Sequence, residues 1–317
     1  MIKFFDFCSG IGGGRIGLEK NGLICVGHSE IDDKTAKTYQ IFFDDNRNYG
    51  DLTKLDISTL PDFEFMVAGF PCQTFSIIGR REGFKDKRGQ IIYSLIEIMK
   101  GKKVKYFILE NVKGLINHNK GKTFISIRNE LEKAGYNVYS KVLNSIDYGV
   151  PQMRERIYIV GFKKELDNGK FEFPIEERIN YKFDNFIDDE NILEMDINDK
   201  TFQKYLSNKY NQNKYTNDEI LGWNNCVIDW RQSDFRKYDN CFPTLRTGRH
   251  GLLYVRNGKL KKLNGYEALL LQGFPKNIAK KVQNKNFKNN KVLSQAGNAM
   301  TVNVVYKIAN NMLKNII

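Results

Sequence analysis

The chain is poor in features that would place it outside an ordinary reduced compartment. Its cysteines are Cys8, Cys25, Cys72, Cys226 and Cys241, odd in number, widely spaced and without a C-x-x-C pair. Neither a disulfide framework nor a zinc site is indicated, and no metal is expected. No apolar run approaches the roughly 18 residues of a membrane span. The start lacks a signal peptide's layout. These absences lead to the expectation of a cytosolic, reduced protein with no membrane partner, in which a free thiol persists. Internal repeats and low-complexity linkers are also missing. Acids are nearly absent from residues 251–317, which hold twelve Lys or Arg against one carboxylate, Glu267.

What is present is positive charge, a formal net +13 over 317 residues. Such a balance suits a polyanion, although many soluble proteins are simply basic. Residues 184–199 oppose the trend with seven acids and no base. They read as a solvated loop or helix face turned away from a phosphate backbone.

Short apolar segments alternate with helical ones through the first half. Strands are predicted at Ile2–Phe7, Leu23–His28, Phe65–Ala68, Tyr106–Leu109, Val138–Leu143 and Ile157–Phe162. Helices are predicted at Arg15–Lys20, Lys34–Phe42, Ile91–Met99 and Thr123–Lys133. The alternation points to an α/β fold with a doubly wound, mostly parallel sheet, whose ligands bind outside the carboxyl ends of the strands. After about Lys170 the pattern weakens. Residues 171–289 read as a smaller irregular domain, and residues 290–317 as returning to complete the first domain, 1–170. Within them Thr301–Leu313 is apolar at helical spacing.

Motifs fall at the strand ends. The first strand runs into D-F-C-S-G-I-G-G-G-R-I-G, Asp6 to Gly17, where Gly12, Gly14 and Gly17 match G-x-G-x-x-G. A nicotinamide site, a methyl-donor site or a ligand-free tight turn would all give this pattern. Glu30 closes the second strand, where a carboxylate can accept both ribose hydroxyls. Asp51, in G-D-L-T, is placed to meet an adenine amino group. Each acid reads equally well as a helix cap or turn residue. The third strand ends in A-G-F-P-C-Q. A lone cysteine there is ordinarily a small hydrophobe, but Pro71 stops the ladder and lets the Cys72 thiol face a cleft. Ser76–Gly89 is basic and Gly-punctuated, like a lid. Glu110 follows directly on the apolar run of the fourth strand. Arg154 and Arg156, at i and i+2 of an extended segment, point to one face and can converge on one pocket, or can form a solvated edge.

Taken together these motifs resemble the carbon-5 cytosine-specific DNA methyltransferase family of the bacterial and phage type. The likeness covers nearly the whole chain through D-F-C-S-G-I-G-G, Glu30, G-D-L-T, G-F-P-C-Q, L-E-N-V-K, Q-M-R-E-R, F-P-T-L-R-T, L-Q-G-F-P and A-G-N-A-M-T. The resemblance implies a Rossmann-like domain that binds S-adenosylmethionine and releases S-adenosylhomocysteine. It implies Cys72 as nucleophile toward carbon 6 of a flipped-out cytosine, Glu110 at N3 and the exocyclic amine, and Arg156, with Arg154 behind it, at O2. Cofactor contacts are implied for Cys8, Ser9, Ile11, Gly13, Glu30, Ile31, Asp51, Leu52 and Pro71, with Asn298 and Ala299 closing the site. Double-stranded DNA contacts are implied for Ser76, Arg80, Arg81 and Arg88 of the lid. In the recognition region they are implied for Arg231, Gln232, Arg236, Thr244, Arg246 and Arg249, where Arg and Gln read base edges and lysines set affinity. Trp223 and Trp230 lie in the same region, where some aromatics are expected to be core.

This chain departs from the family where Phe is usual and Cys8 stands, and where an aromatic often follows the second-strand Glu and Ile31 stands. Adenine stacking is expected to be weaker unless Phe7 or another side chain compensates, and Cys8 is expected to be structural. The compact size suggests a bacterial or phage modification enzyme of the cytosol or nucleoid; a monomer is expected, and family habit implies a cognate restriction endonuclease as functional partner. Rival readings are an RNA (tRNA) cytosine-5 methyltransferase, a nicotinamide oxidoreductase and a catalytically silent DNA-binding relative. The tRNA branch usually shows C-F-T where this chain has C-F-P, Cys241–Pro243. The oxidoreductase reading leaves Cys72, Glu110 and both arginines without purpose.

Overall fold

The computed structural model describes residues 1–71, 90–177, 181–191, 193–230, 234–248, 251–284 and 287–316. These divide into two compact units, one of residues 1–144, 155–176 and 299–317, the other of residues 145–154 and 177–298.

The strands of the first unit are β1 (Lys3–Phe7), β2 (Ile24–Ser29), β3 (Phe65–Gly69), β4 (Tyr106–Val112), β5 (Tyr136–Asn144) and β7 (Glu155–Lys163). Its helices are α1 (Gly13–Glu19), α2 (Asp33–Phe43), α3 (Gln90–Gly101), α4 (Lys122–Lys133) and α11 (Val302–Leu313). The strands form a sheet of order β2-β1-β3-β4-β7-β5. The pairs β1–β2, β1–β3 and β3–β4 are parallel, and β7 runs antiparallel to both β4 and β5. The predicted mostly parallel, doubly wound α/β sheet is therefore present, with element ends shifted by a few residues. Alternation along β1 sets the layers. Phe5 and Phe7 enter one apolar cluster with Leu95, Met99, Ile127 and Leu131 of α3 and α4. Phe4 and Asp6 therefore take the opposite face. On the α1 side, an added Cβ at Gly17 would lie 2.7 Å from Val305 of α11. That close approach binds the C-terminal helix to the first helix.

The second unit is more regular than its sequence suggests. Its main sheet has the order β10-β9-β12-β13-β8, with β8 (Leu193–Met195), β9 (Cys226–Asp229), β10 (Arg236–Asp239), β12 (Leu252–Arg256) and β13 (Lys259–Lys262). Its pairings are antiparallel. The strands are short, and most of their inward residues join a separate core with Phe202, Trp230 and Phe235, which explains the weak periodicity. Helices α5 (Lys200–Leu206), α6 (Asn217–Leu221), α7 (Gly265–Leu271), α8 (Lys276–Ala279), α9 (Lys281–Asn284) and α10 (Asn289–Asn298) belong here. So does the pair β6 (Gln152–Met153) and β11 (Phe242–Pro243). Residues 145–154 group with this unit because Gln152 spans it, donating to the Leu271 carbonyl at 2.8 Å and accepting from the Leu245 amide at 3.1 Å. No helix among the described residues is long and apolar enough to cross a membrane.

The acidic stretch 184–199 is not simply a solvated face. Arg256 pairs with Asp184 and Asp189, and Glu194 accepts from Lys259 and Lys261 at 2.9 and 2.8 Å. Hydrogen bonds from those two lysines hold the Glu194 carboxyl down at about 2. Part of the positive excess in residues 251–317 is therefore spent inside the second unit.

Candidate active site

At the carboxyl end of β2, Glu30 is preset as a double acceptor. One oxygen takes the Gly10 amide at 2.9 Å and the other the Asp32 amide at 2.9 Å. Each oxygen keeps a lone pair for an outside donor, which suits two vicinal hydroxyls. Burial pushes the Glu30 pKa up, against the pull of these amides. Gly10 has φ +55°, and a Cβ built there would meet nothing within 4 Å, so a ligand can lie against this backbone. Ile11 and Ser9 are buried.

The other glycines of this loop do different work. A Cβ at Gly12 would meet the Phe43 ring at 2.2 Å, one at Gly13 the Met300 carbonyl at 2.3 Å, and one at Gly14 the Met300 Cε at 2.7 Å. The G-x-G-x-x-G spacing of Gly12, Gly14 and Gly17 is thus a packing signature. It loses its force as a sign of a nicotinamide site.

Asp51 caps the short turn Leu52–Lys54, with Oδ1 accepting from the Thr53 amide and hydroxyl at 3.0 and 2.7 Å. Burial raises its pKa, but the Thr53 bonds and Lys54 together outweigh that and hold it below the ordinary value. Leu52 is buried, while Ile31 is 70% exposed at the exit of β2. Cys8 sits at φ 48° and packs on the apolar cluster. Burial first, then Glu30, Asp6 and Asp51, push its thiol far above the ordinary range, so it stays neutral. Phe7 does not stand in for a missing stacking ring. It is fully buried and stacks on Phe5 with centroids 4.4 Å apart.

The neighbouring strands build a second group of side chains. Glu110 is in register with Gly69 on β3, and opposite Tyr158 on β7. Arg156 lies two residues before Tyr158, so it is the diagonal neighbour of Glu110 on one sheet face. The Arg156 Nε stands 3.1 Å from Glu110 Oε1, and Arg156 Nη1 donates to the Glu155 carbonyl at 2.8 Å. Buried Asn111 donates to the Phe70 carbonyl at 2.9 Å and accepts from the Val112 amide at 2.8 Å. The chain leaving β3 is tied to β4 just before Pro71, which is exposed. Sequence reasoning missed this asparagine, although E-N-V was in view. Cys72, Ser76, Arg80, Arg81, Arg88, Arg231, Gln232 and Arg249 lie outside the described residues.

With a ribose-type acceptor at β2 and a carboxylate–guanidinium pair beside the β3 exit in place, the chain's sequence matches the model of C-5 cytosine-specific DNA methylases over residues 2–314. The chain belongs to that family. It is a DNA (cytosine-5-)-methyltransferase, and family membership implies DNA as substrate and S-adenosylmethionine as methyl source. This methyltransferase is 36% identical over 318 residues to the Type II methyltransferase M.HaeII of Haemophilus aegyptius, covering 99% of this chain and 93% of that one. It is 31% identical to the Type II methyltransferase M.HhaI of Haemophilus parahaemolyticus, over 98% and 94% of the two chains. In fold it is similar to a DNMT2 variant from Spodoptera frugiperda, with TM-score 0.69, 18% identity and coverage of 100% and 99%.

In the second unit of the methyltransferase, Arg154 is 2% exposed and gives an Nη1 proton to the Leu245 carbonyl at 3.2 Å. Thr244 donates to the Met153 carbonyl at 2.7 Å. Asn298 is exposed at the end of α10 and accepts from the Thr247 hydroxyl at 2.5 Å; Ala299, where the chain returns to the first unit, is buried. Arg236 and Arg246 are exposed. Trp230 is core at 3% exposure, and Trp223 packs against the same cluster.

Proposed function

We propose that the enzyme methylates carbon 5 of a cytosine flipped out of a specific duplex sequence, through a covalent Cys72–cytosine intermediate. The Glu110–Arg156 pair beside Gly69, the last residue of the strand that leads to Cys72, carries this reading. The Glu30 acceptor and the open backbone at Gly10 fit the ribose end of S-adenosylmethionine. Asp51, Leu52, Ile31, Cys8, Ser9, Ile11, Gly13, Pro71, Asn298 and Ala299 complete the proposed contacts.

When bound, the cofactor supplies an electrophilic methyl on a sulfonium sulfur. The protein's own residues make carbon 5 able to accept it. The Cys72 thiolate forms a bond to carbon 6, and the ring's electrons move toward carbon 5 and the N3–O2 edge. Glu110 holds N3 and the exocyclic amine and places a proton at N3. Arg156 neutralises charge at O2, with Arg154 as the buried support behind it. Once carbon 5 is alkylated, loss of its proton re-forms the double bond and expels Cys72. Flipping the base costs a few kcal/mol and is required because these atoms lie inside the stack. The Type II names of the relatives support a bacterial modification enzyme paired with a restriction endonuclease. We read the enzyme as a monomer.

The test is incubation of the chain with tritiated methyl donor and mixed-sequence DNA, followed by bisulfite mapping. Cys72→Ser should abolish turnover while DNA binding persists. DNA carrying 5-fluorocytosine should give a gel-stable adduct with the wild type, because fluorine cannot leave as a cation. Methylation by the serine variant, or no trapped complex, overturns the covalent route.

A further inference from the structure

One buried titratable side chain has no part in the chemistry above. His28, in the interior of β2, is 0% exposed, and its neighbour in register on β1 is Asp6. Its ring lies flat on Tyr39 of α2, with centroids 3.7 Å apart and planes at 15°. Its backbone is also used, the amide donating to the Arg47 carbonyl and the carbonyl accepting from the Tyr49 amide. An imidazole is an expensive occupant of such a strand unless its polar edge has a task. Nδ1 is directed at the Ser9 hydroxyl, 3.0 Å away.

Ser9 belongs to the loop between β1 and α1, and that loop is held by three consecutive residues of the β2 end. His28 Nδ1 shares a hydrogen bond with the Ser9 hydroxyl, the Ser29 carbonyl accepts from the Ser9 amide at 3.1 Å, and Glu30 accepts from the Gly10 amide at 2.9 Å. Ser9 in turn offers its carbonyl to the Gly12 amide at 2.9 Å, starting α1. The loop needs such holding, because Cys8, Gly10 and Gly12 stand at φ 48°, 55° and 88°. The left-handed region is costly for a residue with a Cβ, which is the case of Cys8.

We propose that His28 is a positioning residue for methyl-donor binding: a neutral imidazole that, through the Ser9 hydroxyl, keeps the 8–12 loop in the shape that receives the cofactor. This rests on reading Ser9–Gly13 and Glu30 as the cofactor site. The groups facing the ring are Asp6 on β1, Arg15 on α1, Tyr39 on α2, and Asp45 and Arg47 after α2. Burial lowers the His28 pKa first, Asp45 opposes it, and Arg15 and Arg47 lower it further, to about 4. Burial also raises the pKa of Asp6, the neighbour of His28 in register, well above the ordinary value. The imidazole is therefore uncharged at neutral and mildly acidic pH, and one hydrogen bond to Ser9 is available without a buried cation.

The test measures S-adenosylmethionine affinity by calorimetry, together with steady-state kinetics, on the full chain. Phe at this position keeps the stacking on Tyr39 and removes Nδ1. His28→Phe should raise Kd and KM for the cofactor about 5-fold, the effect of one hydrogen bond, and leave kcat at saturating cofactor within about 2-fold. His28→Asn, with an amide near the Nδ1 position, should restore most of the affinity. Ser9→Ala should cost as much as His28→Phe, and the double variant no more than either. Glu30→Ala serves as control for the site itself. If it weakens binding while folded His28→Phe binds as the wild type does, the positioning role is wrong and the cofactor site stands. If Glu30→Ala also binds normally, both readings fail. A merely structural histidine would lower Tm in the Phe and Asn variants alike with cofactor KM unchanged, which overturns the proposal. Should His28→Phe not fold, Ser9→Ala with unchanged KM overturns it equally.

Discussion

Ile31 stands 70% exposed at the exit of β2, one residue beyond the carboxylate proposed to bind ribose. An aliphatic side chain there offers a purine face some dispersion contact, but not the area or polarisability of a ring. Stacking of an aromatic on a base is worth about 1–3 kcal/mol. Ile31→Phe should therefore lower the cofactor Kd by about 3- to 10-fold, taking part of that range as the gain over isoleucine. Calorimetric titration of the variant checks this. Unchanged affinity would mean that the adenine does not lie against this residue. Cys8 offers no such opportunity, since its left-handed backbone and its packing on the core commit it to the scaffold.

At the level of elements, what could be read from the sequence was whatever has a local period or a strand end. The six strands and five α-helices found among the described residues of the first unit were legible because each is apolar at its own period, and Glu30 and Glu110 because carboxylates stand out at the end of apolar runs. The second sheet was not legible, because strands such as Leu193–Met195 are too short to show alternation. Asn111, His28 and Met300 escaped notice because their roles depend on partners far away in sequence, namely Phe70, Ser9 and Gly13.

The start of α7 is another such case. There Glu267 is fully buried and accepts from the Asn264 and Asp188 amides and the Tyr254 hydroxyl, at 2.8, 3.0 and 2.7 Å. Burial raises its pKa from 4.5 to about 7, against those three donors. The folded chain thus binds more protons than the unfolded one between these values. Its contribution to stability is complete below about pH 4.5 and is lost as pH rises to about 7, a change on the order of 3 kcal/mol. Thermal melts should show the Glu267→Gln variant with a shallower decline in Tm than the wild type between about pH 5 and 7. Parallel profiles would remove Glu267 as the titrating group.

For the whole molecule, the net +13 overstates the charge available to a polyanion. Lys259 is bonded to Glu194, and Arg256 to Asp184 and Asp189. A cation already paired within the fold releases no counterion from DNA. Lys259→Gln should therefore leave the slope of log affinity against log salt unchanged, where loss of a phosphate contact would reduce it by about 0.9. Fluorescence anisotropy over a salt series distinguishes the two. A slope reduced by nearly one unit would place Lys259 on the nucleic acid.

The chain passes from one unit to the other after Asn144, Arg154, Glu176 and Asn298. Any exchange of target preference between relatives is constrained by that path. A recombination joint after Asn144 would carry Arg154 away with the incoming segment and strand the helix Val302–Leu313 from the Gly17 face it covers. Joints near Glu177 and Asn298 would transplant the main sheet of the second unit while keeping the Q-M-R-E-R stretch with its own β7, because the partners of Gln152 in that unit are main-chain groups. Chimeras of these enzymes should survive when cut at the latter pair and fail at the former, so inheritance of new specificities would follow the weave of the backbone rather than the order of the motifs.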